Sequence, residues 1–349
     1  MSQPVKPVVV RMGIDIGKSA FHVVGLDFAG KPVFRNRFTR ESLIEFLARA
    51  SPTVVGMEAC PGSNWLARKA ALSGHEVRIV PAQFDKPFVK SNKTDMIDAE
   101  TIAEAISRPT MRFAQPKTEA QLDLQALHRV RQRLVSNKTP VINQARAFLL
   151  EYGLTISVGA AYFVRDMPSI LSDDQNGLTP SMRRLLEELW QEYRSIEARL
   201  LQLRQQIESI ASADDAATRL TSVPGIGQLT ATAITAFAGT GTQFKSGRHL
   251  AAWLGLVPKK FSTGGKQCLL GISKRGNPYL RKLLVHGARS CVLHLDRTKD
   301  HLGAWIARME ARGIHRNQII VALANKLARI SWAVLTRQGA FYLRQPKQQ

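Results

Sequence analysis

Cysteine is scarce, with three residues (Cys60, Cys268 and Cys291) that share neither a pairing nor a metal-ligand spacing. This argues against a disulfide framework or a thiolate zinc site and fits a reducing compartment. Cys60 and Cys291 sit among apolar neighbours and read as small core residues. The first residues, Met1-Ser2-Gln3-Pro4-Val5-Lys6, lack the charged and apolar regions of a secretory leader, and no apolar stretch is expected to approach membrane-spanning length. The chain is therefore expected in the cytoplasm, with no membrane partner. The most telling scarcity is acid in the final third. Residues 216–349 hold three acidic and 21 basic side chains, a surplus of 18 within a total of +22. A one-signed surface of this size repels itself unless a polyanion shares it, and a phosphate backbone is the usual partner.

With 349 residues, of which 44% are hydrophobic, the chain is long for one core. Three parts are expected: an α/β domain over 1–115, a helical region over 116–215, and a basic, mainly helical domain over 216–349.

Val8 to Asp15 is β-branched and apolar, broken by Arg11. Phe21–Phe28 and Pro32–Phe38 are two further strand candidates, joined by a turn at Ala29-Gly30-Lys31. Glu41–Ala50 has helical spacing, Thr53–Glu58 is a short buried strand, Asn64–Leu72 a helix, and Val77–Val80 a strand stopped by Pro81. Thr94–Ile106 is a helix with Thr94 as its cap.

Four carboxylates stand out in this order: Asp15 in the first strand, Glu58 at the end of the fourth, and Asp95 with Asp98 three apart on the last helix. Singly, each has an ordinary explanation as a capping, dipole or solvated loop residue. Jointly, clustered carboxylates repel and raise one another's pKa unless a cation neutralises them. Oxygen ligands select hard ions, so Mg²⁺, or Mn²⁺, is expected, and two such ions suit phosphoryl transfer. Asp27, placed in the second strand, Asp85, in a loop, and Glu100, facing solvent or Lys93, are left out of the group.

Three meander strands followed by alternating helices and strands resemble the ribonuclease H-like fold, and the RuvC-like branch of it, over residues 10–110. The resemblance implies a mixed five-stranded sheet with all four acids in one cleft. Gly13-Ile14-Asp15-Ile16-Gly17-Lys18 is also similar to the phosphate-binding first turn of actin-like ATPases, but no second such turn follows.

Thr118–Leu150 is helical, and Pro140 should bend or break it. Gly153–Pro180 reads as a loop or excursion. Met182, Leu186, Leu189, Tyr193, Ile196, Leu200, Leu203, Ile207 and Ile210 then alternate spacings of four and three, the seam of a coiled coil. It can pair within the chain or with another copy; both are expected, hence an oligomer.

In the basic third, Leu220-Thr221-Ser222-Val223-Pro224-Gly225-Ile226-Gly227 precedes a helix from Gln228 and looks like a helix-hairpin-helix turn. Gly225 and Gly227 would let backbone N–H groups approach a phosphate, though an ordinary Pro-Gly turn has the same residues. Phe261-Ser262-Thr263-Gly264-Gly265-Lys266 and Leu270-Gly271-Ile272-Ser273-Lys274-Arg275-Gly276-Asn277 are two glycine-rich turns carrying hydroxyls and cations, followed by a helix with Arg281 and Lys282. They suggest a hairpin held against phosphate. Ile319–Leu335 is an apolar helix closing the domain, and Arg344–Gln349 a frayed tail. His286, His301 and His315 lack ligand spacing.

Together these parts resemble the DEDD insertion-sequence transposases, the bridge-RNA-guided recombinases of bacterial mobile elements, over nearly the whole chain. The resemblance implies a catalytic serine in the Ser-Thr-Gly-Gly-Lys turn, matched by Ser262; Thr263 and Ser273 are the neighbouring hydroxyls that the residues alone leave open. It implies Mg²⁺ at Asp15, Glu58, Asp95 and Asp98 of another subunit, a phosphoserine link to DNA, a structured noncoding guide RNA, and a homo-oligomer arranged as a dimer of dimers. Lys266, Lys274, Arg275 and Arg281 are candidates for the phosphate. The alternative is a RuvC-like endonuclease that hydrolyses DNA with metal-activated water and forms no covalent link. A third possibility is a non-catalytic nucleic-acid scaffold.

Overall fold

The computed structural model describes residues 8–81, 94–263 and 266–341, with the side chains of 262, 263, 266 and 267 excepted. Asp85, Lys93, Gly264, Gly265 and the 344–349 tail lie outside the described residues. The chain forms two compact units, 1–118 and 119–349.

The first unit runs β1 (Arg11–Ile16), β2 (Phe21–Leu26), β3 (Pro32–Phe38), α1 (Arg40–Arg49), β4 (Val54–Glu58), α2 (Ser63–Leu72), β5 (Glu76–Val80) and α3 (Asp95–Ala105). The strands make one mixed sheet in the order β3-β2-β1-β4-β5. The three meander strands pair antiparallel, while β1–β4 and β4–β5 are parallel. Side chains alternate across the sheet. Met12, Ile14, Phe21, Val23, Val55 and Met57 pack on one face against Leu43 and Leu47 of α1 and Leu66, Ala67 and Ala70 of α2. On the other face Val24 and Leu26 meet Ala99 and Ala103 of α3. Thr39 and Ser42 close a capping box on α1. Thr94 accepts from the Ile97 N–H at the start of α3, and the Arg78 guanidinium donates to Ile106 O at its end (2.6 Å).

One acid lies elsewhere than expected, and another has an unforeseen partner. Asp27 follows β2 in the turn, where it accepts from the Lys31 N–H. Glu100 is partly exposed and accepts from Arg35 across the sheet edge at 2.7 Å, a partner not anticipated.

The second unit holds α4 (Glu119–Leu150), α5 (Ala160–Ser172), α6 (Pro180–Ala213), α7 (Asp215–Thr221), α8 (Gln228–Ala238), α9 (Gly247–Trp253), β6 (Pro258–Thr263), β7 (Lys266–Ile272), α10 (Pro278–His294), α11 (His301–Ala311) and α12 (Arg316–Arg337). α4 passes through Pro140 unbroken. The proline is exposed, so the carbonyl it deprives of a partner can be hydrated, while Leu134, Val141 and Ile142 nearby hold α4 in the core. Gly153–Pro180 is not all loop, because α5 lies within it. Phe163 and Met167, four apart and fully buried, anchor it, and the Phe163 ring meets Tyr193 and Trp190 of α6 at 5.1 and 5.7 Å. The α6 seam is used within the chain: Leu186, Tyr193 and Ile196 are buried in the core formed with α4 and α5, and Ile207 is buried further along.

Among the described residues α12 is one helix long and apolar enough to cross a membrane by length and composition, against the expectation that none would be. Its Ile320, Leu323, Leu327 and Val334 are built into the core of the second unit, with α8, α9 and α10 residues around them.

Polar bonds tie α4 to that core. His128 is fully buried, with Nδ1 3.0 Å from Tyr279 Oη and Nε2 3.2 Å from Thr232 Oγ1. Since the Thr232 hydroxyl donates to Gln228 O, it accepts from Nε2–H, and Nδ1 accepts from tyrosine. Burial, then the nearby Arg131, lowers the His128 pKa to about 4. The unfolded chain therefore binds a proton at pH values where the folded chain does not. The neutral imidazole's contribution is complete above the ordinary histidine pKa of about 6.5 and is lost as pH falls toward 4. Urea unfolding at pH 7 and pH 4.5 should show wild type losing about 2–3 kcal/mol more than His128→Gln. Equal losses would show that the fold does not hold this imidazole neutral.

Candidate active site

A helix laid directly on strand backbone positions the acids of the first unit. Gly13 and Gly56 face α3. A Cβ on Gly13 would fall 2.5 Å from the Ala103 nitrogen and closer still to Ala99 O, and one on Gly56 would fall 2.5 Å from Ile106 Cγ2. Neither strand has room for a side chain under the helix. Two residues further along each strand, on the same face by alternation, come Asp15 and Glu58. The parallel register pairs Gly13 with Gly56 and Ile14 with Met57, so Asp15 and Glu58 are the next step on neighbouring strands. Their fields meet at Cys60, which is half-buried at the edge of the site and not in the core. Burial first, then Glu58 and Asp15, push its thiol pKa up, which keeps it protonated. Cys291 is buried as expected, its pKa raised to about 11 by burial and then by Asp300.

The antiparallel register sets Asp15 opposite His22. His22 Nδ1 lies 3.6 Å from Asp95 Oδ2, in the first turn of α3. Ligand atoms of Asp15, His22 and Asp95 all lie within 4.8 Å of one another. Asp95 stands at the rim with its side chain 66% exposed, whereas Asp98, one turn on, is buried at 9%. The two helical acids therefore enter at different depths. Glu58 and Asp98 are not part of the close trio. The α3 N-terminus favours negative charge nearby, but that alone does not bring two strand-borne groups to it. The carboxylate oxygens, with one imidazole nitrogen that is buried and without a hydrogen-bond partner among the described residues, could hold a divalent cation.

His22 escaped the sequence reading. The signal lay in the four-residue connection Gly17-Lys18-Ser19-Ala20, closed by a Gly17 N–H bond to Ala20 O, which folds residue 22 back onto residue 15.

In the second unit β6 and β7 form the expected antiparallel hairpin. Ser262 sits opposite Gln267 and Thr263 opposite Lys266, one step from the tip. The Ser262, Thr263 and Lys266 side chains lie outside the described residues. Lys274 adopts a left-handed φ of 54°, and its N–H donates to Gly255 O. Lys274 and Arg275 are exposed. Arg281 Nη1 donates to Leu254 O (2.9 Å) and Arg275 O (3.0 Å), holding this turn to the end of α9. Gly225 has φ 79°, and a Cβ there would strike Gly287 O and Cys291 Sγ of α10, so packing explains its lack of a side chain. Gly227, the N-cap of α8, has open space around it.

The three carboxylates of residues 216–349 have local duties. Asp300 caps α11, Asp296 binds Thr298, and Glu310 holds Arg297 at 2.9 Å. Little is left to neutralise the remaining cations. His315, for its part, caps α12 through the Asn317 N–H.

Comparison with known proteins accounts for both units. A family model described as "Transposase" (DEDD, IS110) matches residues 12–154, and one described as "Transposase IS116/IS110/IS902 family" matches residues 217–302. The transposase for insertion sequence element IS1328 of Yersinia enterocolitica is 42% identical over 335 residues, 96% of this chain and 99% of the relative. The transposase for IS1111A of Coxiella burnetii is 43% identical, covering 95% of this chain and 90% of the relative. A pilin gene-inverting protein of Moraxella lacunata is 27% identical over 80% of this chain and 79% of its own. The acid-bearing sheet therefore belongs to a domain whose kind implies a divalent metal, and the chain is a member of the IS116/IS110/IS902 family of insertion-sequence transposases, enzymes that act on DNA.

Proposed function

We propose that this transposase cuts and rejoins DNA strands at the ends of its mobile element and at the target through a covalent link to Ser262. The arrangement of Asp15, Glu58 and the first turn of α3 on one face of the sheet carries the reading. We assign the metal to Asp15, Glu58, Asp95 and Asp98, which form a ribonuclease H-like, RuvC-type site, and Mg²⁺ as the working ion with Mn²⁺ able to replace it. When bound, the ion lowers the cost of negative charge gathering on phosphate oxygens.

The Ser262 Oγ attacks phosphorus while one deoxyribose P–O bond breaks. The hydroxyl proton is lost and the leaving oxygen takes one up. Attack by a free hydroxyl of a second strand reverses both changes, so bond energy is kept for rejoining. A serine hydroxyl is a weak nucleophile and needs help to ionise. In this reading the help comes from the acid site of a second subunit, within a dimer of dimers. The exposed Leu185 and Leu201 on α6, left outside once α4 has taken the seam, support self-association.

Lys266, Lys274, Arg275 and Arg281 hold phosphate near the hairpin, and Gly225 and Gly227 present the α8 N-terminus to the backbone. The scarcity of free carboxylate in 216–349 supports this. A structured noncoding RNA, bound through its backbone, chooses both DNA partners by base pairing, in the bacterial cytoplasm. Domain roles follow the division 1–115, 116–215 and 216–349. The name of the Moraxella relative supports recombination, since inverting a gene requires rejoining as well as cutting.

The test uses labelled element-end DNA with Mg²⁺ and co-expressed flanking RNA. A covalent protein–DNA species that survives denaturation should form in wild type and in Thr263→Ala, and be absent in Ser262→Ala. Cleavage persisting in Ser262→Ala without any such species would favour hydrolysis and overturn the reading.

A further inference from the structure

We propose that His22 is a direct nitrogen ligand of the divalent ion at the acid site and tilts its preference from Mg²⁺ toward Mn²⁺. The proposal rests on the reading that this site holds a metal, and it adds a residue that a set of four carboxylates does not contain.

Three independent features point at the imidazole. Strand pairing sets His22 on β2 directly opposite Asp15 on β1, so both side chains leave the same face of the sheet. That face is the one α3 covers, since Val24, two residues on from His22, packs against α3 residues. The side chain is 14% exposed, and its Nδ1 is buried with no hydrogen-bond partner among the described residues. Buried polar atoms are nearly always satisfied, so an orphan atom aimed at two carboxylates needs an explanation. The neighbouring Asp95 does not supply one. At 3.6 Å, its Oδ2 is beyond hydrogen-bond range.

A cation between them resolves the arrangement. Octahedral ligands at about 2.1 Å from a metal stand about 3 Å apart when adjacent and about 4.2 Å apart when opposite. The Asp15, His22 and Asp95 ligand atoms already lie within 4.8 Å of one another, so rotamer adjustments of some tenths of an ångström bring all three to bonding distance. Nδ1 would bind as the neutral imidazole, its proton on Nε2. The chemical consequence follows from the donor. Mg²⁺ takes oxygen ligands and accepts nitrogen reluctantly, while transition ions gain from imidazole. The carboxylates alone would give little discrimination between Mg²⁺ and Mn²⁺.

The experiment is pulsed electron paramagnetic resonance on the full-length protein loaded with one equivalent of Mn²⁺, unlabelled and labelled with ¹⁵N-histidine. The spectrum should carry the coupling of a directly bonded imidazole nitrogen, shift with ¹⁵N, and lose the coupling in His22→Leu. In titrations, His22→Leu and His22→Asn should weaken Mn²⁺ binding by about 10-fold or more and Mg²⁺ binding by less, which narrows the gap between the ions. The wild-type spectrum needs no variant, so a misfolded substitution cannot rescue the idea. Mn²⁺ bound in an Asp15-dependent way but without nitrogen coupling would overturn the role of His22 and leave the acid site standing. Mn²⁺ binding unchanged in Asp15→Asn would instead overturn the acid site, and the proposal with it.

Discussion

Asp15→Asn should slow strand cleavage by about 10³-fold or more, since on the proposed assignment it removes a metal ligand and with it several kcal/mol of transition-state stabilisation. The amide is nearly the same size as the carboxylate, so the sheet should keep its melting behaviour. The basic surface of residues 216–349 is untouched, so DNA affinity should change little. Single-turnover cleavage of labelled DNA beside fluorescence anisotropy separates the two effects. Glu58→Gln should act alike, because the parallel register sets Glu58 beside Asp15. Cleavage within about tenfold of wild type in Asp15→Asn would remove this sheet from the chemistry.

Gly13→Ala should be the most damaging conservative change in the first unit. Its single methyl group has to displace the Ala99 and Ala103 backbone of α3, which cannot swing aside as a side-chain tip can. Overpacking of this kind costs about 3 kcal/mol or more, and it lifts the helix bearing Asp95 and Asp98 off the strand bearing Asp15. Gly56→Ala meets side chains, those of Ile106 and Ile102, instead of backbone and should cost less. Gly271→Ala, with nothing within 4 Å and no positive φ, should be close to neutral. Thermal unfolding of the three variants checks the order. Gly13→Ala as stable as Gly271→Ala would mean that α3 rests on the sheet less closely than described here.

The order of strands and helices in the first unit was legible because alternation and caps are local signals. Thr94 announces its helix, and the run from Val8 to Asp15 declares a strand. The strand-borne acids could be read for the same reason, since each falls at an end that local patterning marks. What remained hidden depends on partners distant in sequence. The opposition of His22 and Asp15 needs the register of a hairpin, and the different depths of Asp95 and Asp98 need the sheet beneath α3. Glu100 gave no sign that Arg35, 65 residues away, would take it. α5 was missed because Gly159, Pro168 and the polar residues of 172–179 masked a two-residue anchor, Phe163 and Met167, whose pocket is built by α6. Pro140 argued locally for a break in α4. The apolar residues around it hold the helix through contacts that outweigh a cost of about 3 kcal/mol.

The buried imidazole of α4 limits where this polypeptide can be divided. A fragment begun at Ala216 would hold the whole transposase match from 217 to 302, yet it would leave Tyr279, Thr232 and the Ala236 carbonyl facing a gap that His128 and Gln125 fill in the intact protein. A shortened version of the basic half must therefore begin near Glu119 and carry the long helical hairpin with it. For this enzyme the long hairpin and the stability of the basic half are bound together, and neither can be trimmed without the other.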